Sequence, residues 1–155
     1  MSVLLSIGHG YSARALEAIL EGWEVIGTNR ADDAAVQWPS TDLTPYLDRA
    51  THLLTSVAPG KEGDPVLKAL HDQIAARAGQ FEWVGYLSTT GVYGDRQGDW
   101  VDESSDLRPA TKRGLARVKA ETAWAAIPGL PLHIFRLAGI YGPGRGPFAK
   151  VRAGP

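Results

Sequence analysis

Close to the amino end, Gly8, Gly10 and Ala13 stand at the spacing G-x-G-x-x-A, directly after the apolar run Val3-Leu4-Leu5-Ser6-Ile7. Small residues at these places serve three tasks in a phosphate cradle: a tight exit from a strand, close approach of main chain to a pyrophosphate, and close helix-on-strand packing. Tyr11, Ser12 and Ala13 are then expected to open a helix whose first N–H groups and dipole face the anion. A second apolar run, Val25-Ile26-Gly27, ends in Thr28-Asn29-Arg30, without the Asp or Glu that would accept bonds from a free ribose 2′-hydroxyl. Asn29 and Arg30 suit a 2′-phosphate instead, which favours NADP, while the nearby pair Asp32-Asp33 keeps NAD open.

The elements that must position these groups follow from periodicity. Leu16, Ile19 and Leu20, with Ala13 and Ala15, give the first helix an apolar stripe, and Gly22 is placed to end it. Val36-Gln37-Trp38 reads as a short strand halted by Pro39, and 42–49 as a short helix or turn. Thr51 to Ala58 reads as a buried parallel strand ended by Pro59-Gly60. Its exit, Ser56, Val57, Ala58 and Pro59, lies where a strand's carboxyl end meets a cofactor in such a fold. Pro65 opens an amphipathic helix through Val66, Leu67, Leu70 and Ile74, closed by Gly79. Phe81 to Leu87 is the next strand, a polar loop fills 95–109, a helix spans about 111–126, and Pro131 to Leu137 is the last strand. The alternation predicts an α/β fold: a doubly wound parallel sheet of about six strands with helices on both faces. The Gly- and Pro-rich residues 141–155 are expected to be loop or the start of a further lobe.

Composition narrows the partners. A chain of 155 residues with 44% hydrophobic residues reads as one globular domain, 1–155. A formal net charge of −1 speaks against nucleic acid or an anionic membrane as the main partner. There is no cysteine, which excludes disulfides, thiol catalysis and thiolate metal sites. No apolar run is long enough to span a bilayer, so a soluble, cytoplasmic protein is expected. His9, His52, His71 and His133 fall in separate elements without ligand spacing, so no metal site is expected; His9, inside the glycine turn, is read as a surface loop residue, with contact to phosphate the alternative.

Two further stretches carry a resemblance. Ser88-Thr89-Thr90-Gly91-Val92-Tyr93-Gly94 and Arg136-Leu137-Ala138-Gly139-Ile140-Tyr141-Gly142-Pro143-Gly144, after Gly8-His9-Gly10-Tyr11, resemble the extended short-chain dehydrogenase/reductase superfamily. Within it they are most similar to the atypical branch of the NAD-dependent epimerase/dehydratase group, in its Rossmann part only. The resemblance implies a Rossmann fold, a bound NAD(P), and hydride chemistry on a sugar nucleotide or similar alcohol or carbonyl. It places Ser88 beside the cofactor and makes Thr89 the hydroxyl that bonds the reacting oxygen.

The chain also departs from that family. In the family, a Tyr and a Lys one turn apart on the following helix form the acid/base pair, the ammonium lowering the phenol pKa and holding the ribose. Aligned on Glu121, the tyrosine position holds Arg113 and the lysine position Arg117. Arginine does not give up its proton in a protein, so Arg113 is no general base. The two arginines share a helix face and suit ribose or phosphate, or else are two solvated cations. The family normally continues into a small substrate-binding lobe past the point where this sequence stops. A fragment, a lobe supplied by a partner chain, and a homo-oligomer all remain open. Two functions follow: an NAD(P)-dependent oxidoreductase or epimerase/dehydratase-like enzyme acting on a small molecule, or a non-catalytic NAD(P)-binding module or redox sensor.

Overall fold

Ile7 lies level with Thr28 on one side and Thr55 on the other, so three neighbouring strands end together. The computed structural model describes residues 1–31 and 36–146. Within them β1 (Val3–Ile7), β2 (Glu24–Asn29), β3 (Val36–Gln37), β4 (His52–Thr55), β5 (Trp83–Thr89) and β6 (Leu132–Leu137) run parallel in the order β3-β2-β1-β4-β5-β6. Strand β1, apolar except for Ser6, is buried along its whole length, as a central parallel strand covered on both faces must be. The chain builds outward from β1 through β2 and β3, then returns to β1's other side for β4, β5 and β6. This is the switch point of a doubly wound sheet, and ligands bind in the crevice outside the strand ends there.

The helices divide between the faces. On one face α3 (Pro65–Ala76) and α4 (Lys112–Ala125) cover a core of Leu5, Ile7, Leu53, Val66, Ile74, Tyr86 and Trp124. Asp64 ties these two helices together. One carboxylate oxygen caps α3 by accepting from the Val66 and Leu67 amides at 2.8 and 3.1 Å, and the other accepts from the Trp124 indole at 3.2 Å. The short α2 (Thr44–Leu47) packs beside α3. Thr111 caps α4, its hydroxyl accepting from the Gly114 amide at 3.0 Å.

The opposite face carries α1 (Tyr11–Glu17), whose Ala13 is buried with Leu4 and Leu54. This helix is shorter than its apolar pattern predicts. After Glu17 the Ile19 and Leu20 amides bond three residues back, tightening the chain toward Gly22. Leu16 and Leu20 keep their packing, whereas Ala15 is exposed and Ile19 is 73% exposed, because no element among the described residues lies outside α1 to receive them. Strand β5 runs two residues beyond the expected Leu87, since Ser88 and Thr89 pair with Arg136 and Leu137 of β6. Among the described residues no helix is long and apolar enough to cross a membrane.

Candidate functional site

The turn from β1 into α1 sits at the switch point, and its two glycines have different causes. Gly8 has φ +81°, and a Cβ there would lie 2.8 Å from Val57 Cγ2 and 3.2 Å from the Val57 amide nitrogen. The protein itself therefore demands glycine at this position. The Ser56 hydroxyl donates to the Gly8 carbonyl, and the Gly8 and His9 amides both donate to the Thr28 carbonyl at 3.1 and 2.7 Å. Gly10 is different. Its φ is −100°, and an added Cβ would meet only the Gly8 carbonyl, at an ordinary 3.7 Å. Among the described residues no packing contact requires glycine there; what the missing Cβ preserves is space over the turn. Behind it, α1 begins at Tyr11 and Ser12 with no side chain capping its first amides.

His9 corrects an expectation. Its side chain is 11% exposed, not on the surface, and its ring lies against β2 where Gly27 has no side chain. A Cβ on Gly27 would stand 2.5 Å from His9 Cγ. Nε2 meets the Glu17 carboxylate at 2.9 Å, while Nδ1 is buried without a partner among the described residues. The glycine turn is thus wedged between β2 and the far end of α1. The readable signal was a glycine in mid-strand, which marks a close approach by another group.

At the end of β2, Asn29 turns its side chain back on the chain, accepting from the Ala31 amide at 2.7 Å, and Arg30 is exposed. The competing pair Asp32-Asp33 lies outside the described residues, as do 147–155 of the predicted loop. Beyond β4, Ser56 and Val57 press on Gly8, Ala58 is exposed and Pro59 half-buried.

The second motif is held by a network that the sequence reading did not contain. Ser88 points inward, its hydroxyl donating to Glu121 of α4. Glu121 is 3% exposed and accepts from Arg136 of β6, at 2.9 Å from Nη2 and 3.2 Å from Nε. Arg136 Nη1 donates to the Tyr93 hydroxyl at 3.0 Å, and the guanidinium lies 5.1 Å from the Tyr93 ring centre. Hydrogen bonding to the Glu121 carboxylate raises the Arg136 pKa further, so this group is charged throughout. Tyr93 is buried, and its hydroxyl accepts from Arg136. Thr89 closes the strand, its hydroxyl accepting from the Gly91 amide at 3.1 Å. The turn at 90–92 rests on α4, where a side chain at Gly114 would come within 2.7 Å of the Gly91 carbonyl.

The two arginines of α4 do not converge. Arg113 is exposed, whereas Arg117 turns into the protein and donates from Nη1 to the Tyr86 hydroxyl at 3.0 Å and the Leu87 carbonyl at 2.8 Å. Burial pushes the Tyr86 pKa up to about 12, against the lowering effect of Arg117. A cleft of about 460 Å³ runs beside α1 toward the ends of β5 and β6, bordered by Ser12, Leu16, Leu87, Leu137 and Ile140. Its lining is largely apolar, and Phe135 in its wall is 41% exposed.

No protein-family model matches the chain. Protein YeeZ of Escherichia coli K12 is 27% identical over 170 residues, taking in 95% of this chain and 62% of that protein. The structure of a functionally unknown conserved protein from Silicibacter pomeroyi DSS superposes with a TM-score of 0.91 at 57% identity, covering 96% of this chain and 56% of that one. A protein from Methylobacillus flagellatus, provisionally named an NAD-dependent epimerase/dehydratase, aligns at 30% identity and TM-score 0.69 over 93% of this chain and 56% of its own. The UDP-glucuronic acid 4-epimerase of Bacillus cereus, solved with NAD, shares the fold at TM-score 0.71 and 18% identity, over 90% of this chain and 57% of its own. The chain thus spans between 56% and 62% of the four proteins just named. With its strand order, its glycine turn and both later motifs in sequence, the chain has the doubly wound Rossmann fold and is similar to one part of solved structures whose names include NAD-dependent epimerase/dehydratase and short-chain dehydrogenase/reductase proteins.

Proposed function

We propose that the chain binds a nicotinamide dinucleotide across the switch point and serves as the nucleotide half of an epimerase/dehydratase-like or oxidoreductase enzyme acting on a sugar nucleotide or similar alcohol. The observation that carries this reading is Gly10, a glycine that no contact among the described residues requires. Main chain left bare above a strand-to-helix turn is what a diphosphate needs in order to approach closely. Tyr11, Ser12 and Ala13 would offer amides to the phosphates, and Arg30 at the end of β2 would read a 2′-phosphate, favouring NADP. Ser56 to Pro59 and Ser88 would border the cofactor from the neighbouring strand ends.

When bound, the dinucleotide supplies a hydride acceptor or donor. The chain's part is to hold the reacting partner beside it, with Thr89 orienting the substrate oxygen. Its hydroxyl already accepts from Gly91, so its own proton is free to be donated outward. Arg113 and Arg117 stand where a Tyr and a Lys would act, and Arg117 is committed to Tyr86. That engagement favours a second reading, an NAD(P)-binding module or redox sensor without turnover.

Titration of NADH and NADPH by fluorescence, followed by an absorbance screen over alcohols, carbonyls and sugar nucleotides, tests both readings. Saturable binding that Gly10→Val abolishes with the melting temperature unchanged supports the nucleotide site, and turnover selects the enzyme over the module. Gly8→Ala is the contrasting control, expected to lower stability by about 1–3 kcal/mol through its left-handed backbone. A wild-type chain that binds neither nucleotide would sink the proposal.

A further inference from the structure

The Gly- and Pro-rich segment after β6 reads from sequence as loop, yet part of it has a fixed seat. Gly142 and Arg145 exchange backbone hydrogen bonds at 2.8 and 3.0 Å, with Pro143 and Gly144 between them and Gly144 at φ +71°. Pro then Gly at the two central positions is the composition of a type II turn. The turn rests on one residue from the other end of the chain. The Tyr11 hydroxyl donates to the Pro143 carbonyl at 3.1 Å. A side chain on Gly142 would stand 2.2 Å from that hydroxyl, so only glycine lets the turn approach so closely. The Arg145 guanidinium lies 5.2 Å from the Tyr11 ring centre, over its face. Among the described residues no carboxylate pairs with Arg145, and its side chain is exposed.

Tyr11 directly follows Gly10. The three contacts therefore seat the guanidinium on the ring of the residue that follows Gly10, brought there from beyond the edge strand β6. We propose that Arg145 is a diphosphate-binding residue, held over the glycine turn by Tyr11 and donating to the phosphates of the bound dinucleotide. This rests on the nucleotide site proposed above and adds a side-chain cation to amides that otherwise act alone. A guanidinium suits that position because its planar fork meets phosphate oxygens two at a time, while its face stays stacked on the ring. The Tyr11 ring fixes where the charge stands before the ligand arrives, which lowers the entropy cost of the contact.

Calorimetric titrations of NADH, ADP-ribose, adenosine and UDP-glucose against the wild type, Arg145→Ala and Arg145→Lys test this. Arg145→Ala is expected to weaken NADH and ADP-ribose by about tenfold or more, the scale of one charge-assisted hydrogen bond, and to leave adenosine and the melting temperature unchanged. Arg145→Lys keeps a point charge and is expected to lose less. The loss should shrink as salt rises. NADH affinity equal to wild type in Arg145→Ala overturns the assignment, as does an equal loss for adenosine, which would mark a merely structural role. A loss confined to UDP-glucose also overturns it, moving the residue to a substrate's diphosphate. If the wild type binds neither NADH nor ADP-ribose, the nucleotide site itself has failed, and Arg145 falls with it.

Discussion

Arg136 at the edge of the sheet holds the buried carboxylate of Glu121 on α4, with Nη2 to Oε2 at 2.9 Å and Nε to the same oxygen at 3.2 Å. Glu121 also accepts from Ser88, and Arg136 from its other nitrogen donates to Tyr93. The pair thereby fastens together the residues before and after Thr89 and the strand that leads into the Arg145 turn. A buried ion pair is costly to break, because the abandoned charge keeps its desolvation penalty. Arg136→Met alone is expected to destabilise the chain by about 3–5 kcal/mol in urea unfolding, and Glu121→Gln by less, since it stays able to accept from Ser88. The double replacement Glu121→Leu with Arg136→Met should recover much of the loss of Arg136→Met. A single-variant cost under about 1 kcal/mol, the range of exposed pairs, would contradict this account.

His9 and Gly27 form a lock between the glycine turn and β2. Gly27→Ala places a methyl group where the His9 ring stands, 2.5 Å from Cγ, and is expected to cost about 1–3 kcal/mol as an overpacked contact. Removing the ring first, in His9→Ala, should make the same Gly27→Ala change nearly neutral. The test is a double-mutant cycle on thermal or urea midpoints. Additive effects would show that the ring does not rest on the strand.

Much of the fold was legible because its signals are local. The run through Ile7 has to be a buried strand, and Gly8 after it has to turn; neither inference needs knowledge of a distant residue. Pro65 is likewise a cue written beside the helix it starts. The contacts that hold the candidate site are of another kind. Glu121 reads as a surface charge until Arg136 and Ser88 are brought to it from two different strands. Ile19 continues an apolar stripe by periodicity, yet it is exposed among the described residues, since periodicity records only which side of a helix a residue takes. Gly142 looked like one glycine among several in a loop, and its requirement is set by the Tyr11 hydroxyl.

Arg30 is exposed directly after β2, and under the proposed function it would read a 2′-phosphate. Arg30→Ala is expected to weaken NADPH by about tenfold while changing NADH by less than about twofold, the loss of one charge-assisted contact made to the extra phosphate alone. Competition titrations of the two reduced nucleotides against wild type and variant measure this directly. Equal losses for both would place Arg30 outside the ribose site.

The last expectation concerns pH and the pair Tyr86–Arg117. The Tyr86 phenol has its pKa pushed up to about 12 by burial, from an ordinary value near 10. Because the folded value is the higher one, the unfolded chain loses this proton first as pH rises. Up to about pH 10 both states keep the proton and stability is unaffected by it. Between about 10 and 12 the unfolded state binds fewer protons, so stability falls with every step upward, and above about 12 the slope from this group vanishes. Tyr86→Phe removes the titrating group and should flatten that part of the stability profile. At neutral pH the variant leaves the Arg117 guanidinium without one acceptor while the Leu87 carbonyl remains, so the cost there is expected to be about 1 kcal/mol. Urea midpoints of both proteins from neutral pH to about 12, with tyrosinate absorbance followed in parallel, decide the matter: matching slopes would mean that Tyr86 ionises as readily folded as unfolded, against the burial that its place on β5 imposes.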